Sequence, residues 1–110
     1  MFWFLRGIRK GVVTSRYPAH PDPSTAGLPS PPAFRSDLLT TELADRLAAA
    51  CPSGALRRDA SELILDLGAC TGCSRCGEVG GDAVTRSGDF ELATRDRAAL
   101  LKRIPIGAAR

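Results

Sequence analysis

Hydrophobic positions change their rhythm several times along the chain. In residues 2–13, Phe4, Leu5, Ile8 and Val12 share one helical face, while Arg6, Arg9 and Lys10 take another. That pattern predicts a short amphipathic helix. Residues 17–36 lose all periodicity and hold six of the eight prolines. Such a density excludes regular helix or sheet and predicts an extended strap. Leu39, Leu43 and Leu47 then recur at i, i+4 and i+8 and predict a helix over 38–50, capped by Thr40 or Asp37. Pro52 ends it just after Cys51.

Short strand patterns follow at Ala55–Arg58 and Leu63–Leu67, around the turn Asp59-Ala60-Ser61. The cysteine loop Cys70–Cys76 and one helical turn come next. A second strand pair is predicted at Ala83–Arg86 and Phe90–Ala93, around Ser87-Gly88-Asp89, and a closing helix at 95–103. The order helix, hairpin, cysteine loop, hairpin is a weak internal repeat. It predicts an α+β fold with a pseudo-twofold core of two helix–hairpin halves. The boundaries are a docking helix at 1–16, a strap at 17–36, a domain at 37–103 and a tail at 104–110.

Composition narrows the picture. The chain has 110 residues and few aromatics, so a large apolar core is excluded. In so small a domain a metal staple is physically useful. The formal charge of +3 is uneven. Arg6, Arg9, Lys10, Arg16 and Arg35 face a single acid, Asp22, in the first third, and the remainder is close to neutral. No basic stripe interleaved with aromatics occurs, which argues against nucleic acid as a partner. An anionic surface near the N-terminus, such as a membrane face, fits better. Trp3 and Phe4 suit a water–lipid boundary. The same residues serve equally well on a partner protein. The opening apolar run is stopped by Arg6, so no signal peptide is expected. No stretch approaches the about 18 apolar residues of a spanning helix. A reducing compartment is therefore expected, in which thiolates stay free to bind metal.

The central chemical signal is Cys70-Thr-Gly-Cys73-Ser-Arg-Cys76. Three thiolates at two-residue intervals let one loop wrap an iron–sulfur cubane, and Gly72 lets the backbone approach it closely. Zinc sites usually pair two such knuckles, or a knuckle with histidines, and neither is present. His20 stands alone in the strap and reads as solvent-exposed. Asp66, Glu78 and Arg75 flank the loop and read as solvated charges.

The bacterial ferredoxin run C-x2-C-x2-C-x3-C-P lacks its fourth cysteine here, because Gly80 stands there. Upstream, Cys51-Pro52 has the form of the end of such a run, whose other positions are Thr41, Ala44 and Leu47. In two-cluster ferredoxins the fourth cysteine of each run ligates the other cluster. Cys51, Cys70, Cys73 and Cys76 therefore form one complete set of ligands for one [4Fe–4S] cluster. Positions 41, 44, 47 and 80 would have held a second cluster and have all lost it. Leu43 and Leu47 are expected to fill that space with apolar side chains. An inert buried thiol is the other reading of Cys51.

On three stretches the chain resembles the ferredoxin-like iron–sulfur subunit of formate hydrogenlyase and related membrane-bound group 4 hydrogenases, and its counterpart in respiratory complex I. These are Gly11–Pro18 with its Tyr17-Pro18, Cys51–Leu56, and Leu67–Val79 with Phe90–Ala93. The resemblance implies a ferredoxin-like α+β core. It implies a cytoplasmic position, peripheral on the cell membrane, with the N-terminal helix against a membrane subunit. It also implies electron exchange with a hydrogenase-small-subunit-like iron–sulfur partner. The chain departs from the family in keeping one cluster where two are usual. Three functions follow as expectations. The first is an electron-transfer subunit. The second is a structural linker whose cluster only stabilises the fold, and the third is a free-standing ferredoxin or sensor. No catalytic triad, phosphate-binding glycine loop or paired-carboxylate site is present.

Overall fold

The computed structural model describes residues 2–11, 14 and 16–107. Val12, the last position of the expected apolar helix face, lies outside them, as do residues 108–110 of the expected tail. The chain is mixed α+β, with three α-helices and two small antiparallel sheets among the described residues.

Helix α1 spans Trp3–Lys10 and ends at Gly11, whose N–H bonds the Gly7 carbonyl. None of its residues is buried. Phe2, Trp3, Phe4, Leu5 and Ile8 are all at least 60% exposed, so no described residue covers the apolar face. No helix is long and apolar enough to cross a membrane among the described residues.

The strap departs from expectation. It contains a 3-10 turn at Pro23–Gly27 and a strand, β1, at Pro32–Phe34. Proline cannot donate to a ladder, but it is tolerated as the first residue of a strand in a two-stranded sheet. Helix α2 spans Thr41–Ala50, and Thr40 caps it by accepting the Leu43 N–H at 3.2 Å. Asp37, the other candidate cap, pairs instead with Arg35. Strands β2 (Leu56–Asp59) and β3 (Glu62–Asp66) form the expected hairpin, with Leu56 opposite Leu65. Helix α3 spans Arg75–Gly80 and leads through a 3-10 turn into β4, Val84–Arg86.

The second hairpin does not form. Strand β4 pairs with β1, with Pro32 opposite Arg86 and Phe34 opposite Val84, while Phe90–Ala93 is not a strand. The Ser87 N–H to Pro31 carbonyl and Arg35 N–H to Ala83 carbonyl bonds flank the paired residues. The strap therefore takes the place that residues 90–93 were expected to fill. The closing helix is also absent. Asp96 caps a single 3-10 turn, Arg97–Leu100, and β5 follows at Leu101–Pro105. It pairs with β3, Leu63 opposite Ile104. An isolated nine-residue helix is marginal in water, whereas the open edge of β3 offers a full ladder of partners. Ile106 N–H then bonds the Ser61 carbonyl and Gly107 N–H the Leu39 carbonyl, so the start of the expected tail is tied to the domain.

The resulting repeat is β–α–β, not helix–hairpin. One half is β1–α2–β2 and the other β3–α3–β4. The inner strands pair, the outer strands pair, and α2 packs on α3. The core beneath them is Leu39, Ala44, Leu47, Ala55, Leu56, Leu63 and Leu65. Each fully buried leucine there contributes on the order of 1.5–3 kcal/mol.

Candidate metal centre

Three elements bring the cysteines together. Cys51 caps the C-terminus of α2, its N–H bonded to the Leu47 carbonyl. Cys70 and Cys73 lie on the loop between β3 and α3, and Cys76 is in the first turn of α3. All four line one cavity of about 130 Å³. Cys73 is exposed and the other three are partly buried. The sequence-predicted ligands are thus neighbours of one space, although Cys51 and Cys70 are far apart in the chain.

The loop is fixed at its entry. Asp66, at the end of β3, accepts the Ala69 and Cys70 N–H groups on its carbonyl and the Gly68 N–H on its carboxylate. The carboxylate also takes a two-pronged pair from Arg97, at 2.7 and 2.6 Å. Asp66 is therefore not a solvated charge but the anchor of the loop's entry. The Arg97 guanidinium holds its carboxyl below the ordinary range, outweighing partial burial, with the Gly68 N–H helping. Glu78 and Arg75 are exposed, as expected, and so is His20. Gly72 adopts φ +70°, a left-handed backbone that a side chain rarely tolerates, and Pro29 of the strap lies against it. Ser74 holds a left-handed conformation without being glycine, at φ 64°. That costs roughly 1–2 kcal/mol.

The thiols differ in their surroundings. Burial pushes the Cys51 thiol up, but the Ser53 hydroxyl at 3.5 Å and the N–H groups of Ala55, Leu56 and Ser53 outweigh it. Its acidity is thereby raised, and its thiolate is the form that binds metal. Burial pushes the Cys76 thiol up; the Gly77 N–H opposes this, and charge on Cys70 and Cys73 adds to the rise.

Among the described residues no three His, Cys, Asp or Glu side chains converge as a group that could hold a metal ion. A mononuclear zinc site would need its sulfurs about 2.3 Å from one point. The donors line a wider space. About 130 Å³ is roughly ten times the 10–15 Å³ that one water requires.

Two parts of the site were not read from the sequence. The strap supplies wall, through Ser30 and Pro32. Ser30 is buried and its hydroxyl accepts the Gly88 N–H at 3.2 Å. Arg86 also lines the cavity, and its guanidinium donates to the Ser74 hydroxyl at 3.3 Å. Neither has a local signal, because both depend on the pairing of β1 with β4.

Three of the four positions without cysteine are packed. Ala44 and Leu47 are fully buried, and a Cβ added to Gly80 would overlap Val84 Cγ2 and lie 3.4 Å from Leu47. Leu47 is fully buried, while Leu43 is partly buried and Thr41 exposed.

No protein-family model and no curated protein matches the chain.

Proposed function

We propose that the chain carries one [4Fe–4S] cluster on Cys51, Cys70, Cys73 and Cys76 of a ferredoxin-like domain. In this reading it is an electron-transfer subunit of a membrane-associated hydrogenase-like or complex I-like oxidoreductase. The observation that carries the reading is the common cavity lined by four cysteines from three elements. Its size supports a multi-atom group over a single ion. The β–α–β repeat, with inner and outer strands paired, supports the ferredoxin-like assignment.

When bound, such a cluster supplies a one-electron redox couple. The chain's own residues would hold and shield it. The N–H groups around Cys51 stabilise a thiolate there, and Gly72 keeps the loop backbone close. Exposed Cys73 marks the side open to a hydrogenase-small-subunit-like partner. The bare apolar face of α1, with Arg6, Arg9 and Lys10 beside it, supports docking on the cytoplasmic face of a membrane and its membrane subunit.

Anaerobic reconstitution of the full chain tests the cofactor. About four irons and four sulfides per chain are expected, with a reduced-state EPR signal. Stoichiometric zinc, or close to eight irons, would overturn the reading. Removing residues 1–16 should leave the iron content intact while releasing the chain from membranes in a flotation assay. Unchanged flotation would show that α1 is not the anchor.

A further inference from the structure

Among the described residues lining the cysteine cavity, Arg86 is the only one with a charged side chain of the Arg, Lys, Asp or Glu type. It projects from β4, the strand paired with the strap. The other arginines with partners in the domain are spent on carboxylates: Arg35 on Asp37, Arg58 on Asp45, Arg97 on Asp66 and Arg103 on Glu62. Arg86 has no carboxylate partner among the described residues. Its one bond is to the hydroxyl of Ser74, the residue between Cys73 and Arg75 that is held left-handed. A guanidinium bonded to the cysteine loop, on an exposed residue that lines the same cavity as the four cysteines and has no acid of its own, is matched to an anion in that cavity.

We infer that Arg86 is the counter-charge of the group held by the four cysteines and sets its reduction potential. The inference rests on the reading of the cavity as a cluster site. A cubane with four thiolates is anionic in both redox states. Accepting one electron from a one-electron donor, such as a partner's iron–sulfur centre, makes it more negative by that electron. No bond is formed or broken. A fixed positive charge at the cavity wall favours the reduced form more than the oxidised one, so it raises the potential. Arg86 and Arg75 are both exposed, so solvent screens both; only Arg86 lines the cavity, and that position is what separates them.

The test is an EPR-monitored redox titration of the reconstituted full chain. Arg86→Gln should lower the midpoint potential, Arg86→Lys should keep most of it, and Arg75→Gln should move it less than Arg86→Gln. Ser74→Ala removes the hydrogen bond but not the charge, and should also move it less than Arg86→Gln. If Arg86→Gln assembles no cluster, Arg86→Lys decides: a cluster near the wild-type potential supports the role, and no cluster overturns it. A loaded Arg86→Gln chain at the wild-type potential removes Arg86 from this role and leaves the cluster assignment standing. A wild-type chain that takes up no iron overturns the cluster assignment itself, and the role of Arg86 with it.

Discussion

The two β–α–β halves meet where α2 crosses α3, and the chain treats the two related positions there in opposite ways. On one side Ala44 and Leu47 are fully buried, and Val84 leaves no room for a Cβ on Gly80. On the other, Cys51, Cys70, Cys73 and Cys76 stand around open space. The glycines of α3 record the contrast. A Cβ at Gly80 would overlap Val84, while a Cβ at Gly77, which lines the cavity, would meet nothing within 4 Å. A frame of two halves can thus be closed by its own side chains at one position and left open at the other. Packing at the closed position is a stability device. The thiols at the open one are partly or fully exposed, so they add little to the core and leave room for the proposed cluster.

The sharpest way to break this comparison is to remove one ligand. Cys51→Ser should lose nearly all iron on reconstitution, as Cys73→Ser should, although the two residues sit on different elements. The measurement is iron and sulfide per chain. An intact cluster with an unchanged EPR spectrum in Cys51→Ser would assign the fourth ligand elsewhere. Neither change touches the closed position, so both proteins should keep the far-UV circular dichroism of the wild-type apo chain.

The closed position is broken by making room. Leu47 is completely buried, and Leu47→Ala should cost about 2–5 kcal/mol in urea unfolding of the apo protein. A loss under 1 kcal/mol would mean that the site collapses around the gap, and the contrast between the halves would weaken.

The two glycines sharpen it further. Gly80→Ala forces Val84 to shift and should cost about 1–2 kcal/mol after the gain in helix propensity. Gly77→Ala meets open space in the apo chain and should fall within about 0.5 kcal/mol of wild type, or stabilise slightly. Equal effects from the two would contradict the difference between packed and open halves.

Legibility in the sequence followed the range of the interaction. The α2 pattern, its Thr40 cap, the β2–β3 hairpin and the turn after the cysteine loop are local signals, and each is present. The four cysteines singled out by their spacing do line one cavity, because that spacing carries information that needs no knowledge of the fold. Pairing of Phe34 with Val84 spans half the chain, and a proline-rich segment gives no hint of a strand. Residues 95–103 carry a helical rhythm that the free edge of β3 overrides. Arg86 was invisible for the same reason as β1: its place at the cavity follows from a long-range ladder, not from its neighbours in sequence.

The smallest expected effect concerns the anchor of the open half. Asp66 carries the loop's first N–H groups and pairs with Arg97, and its carboxyl is held below the ordinary range. Because the folded value is the lower one, the unfolded chain binds more protons as the pH falls through that interval. The contribution is therefore fully present above the unfolded value, near pH 3.9, and is lost as the pH drops through the folded one. Arg97 is 62% exposed, so solvent screens the pair and the effect is modest. Asp66→Asn keeps the shape and removes the charge. Its apo unfolding curves should converge on those of the wild type as the pH falls through that acid interval and differ most near neutrality. The closed half supplies the control: Leu47→Ala should lose the same stability at both ends of the range, because no charge is involved. A wild-type advantage over Asp66→Asn that persists unchanged below pH 3 would show that the hydrogen-bond geometry, and not the charge on Asp66, fixes the loop's entry.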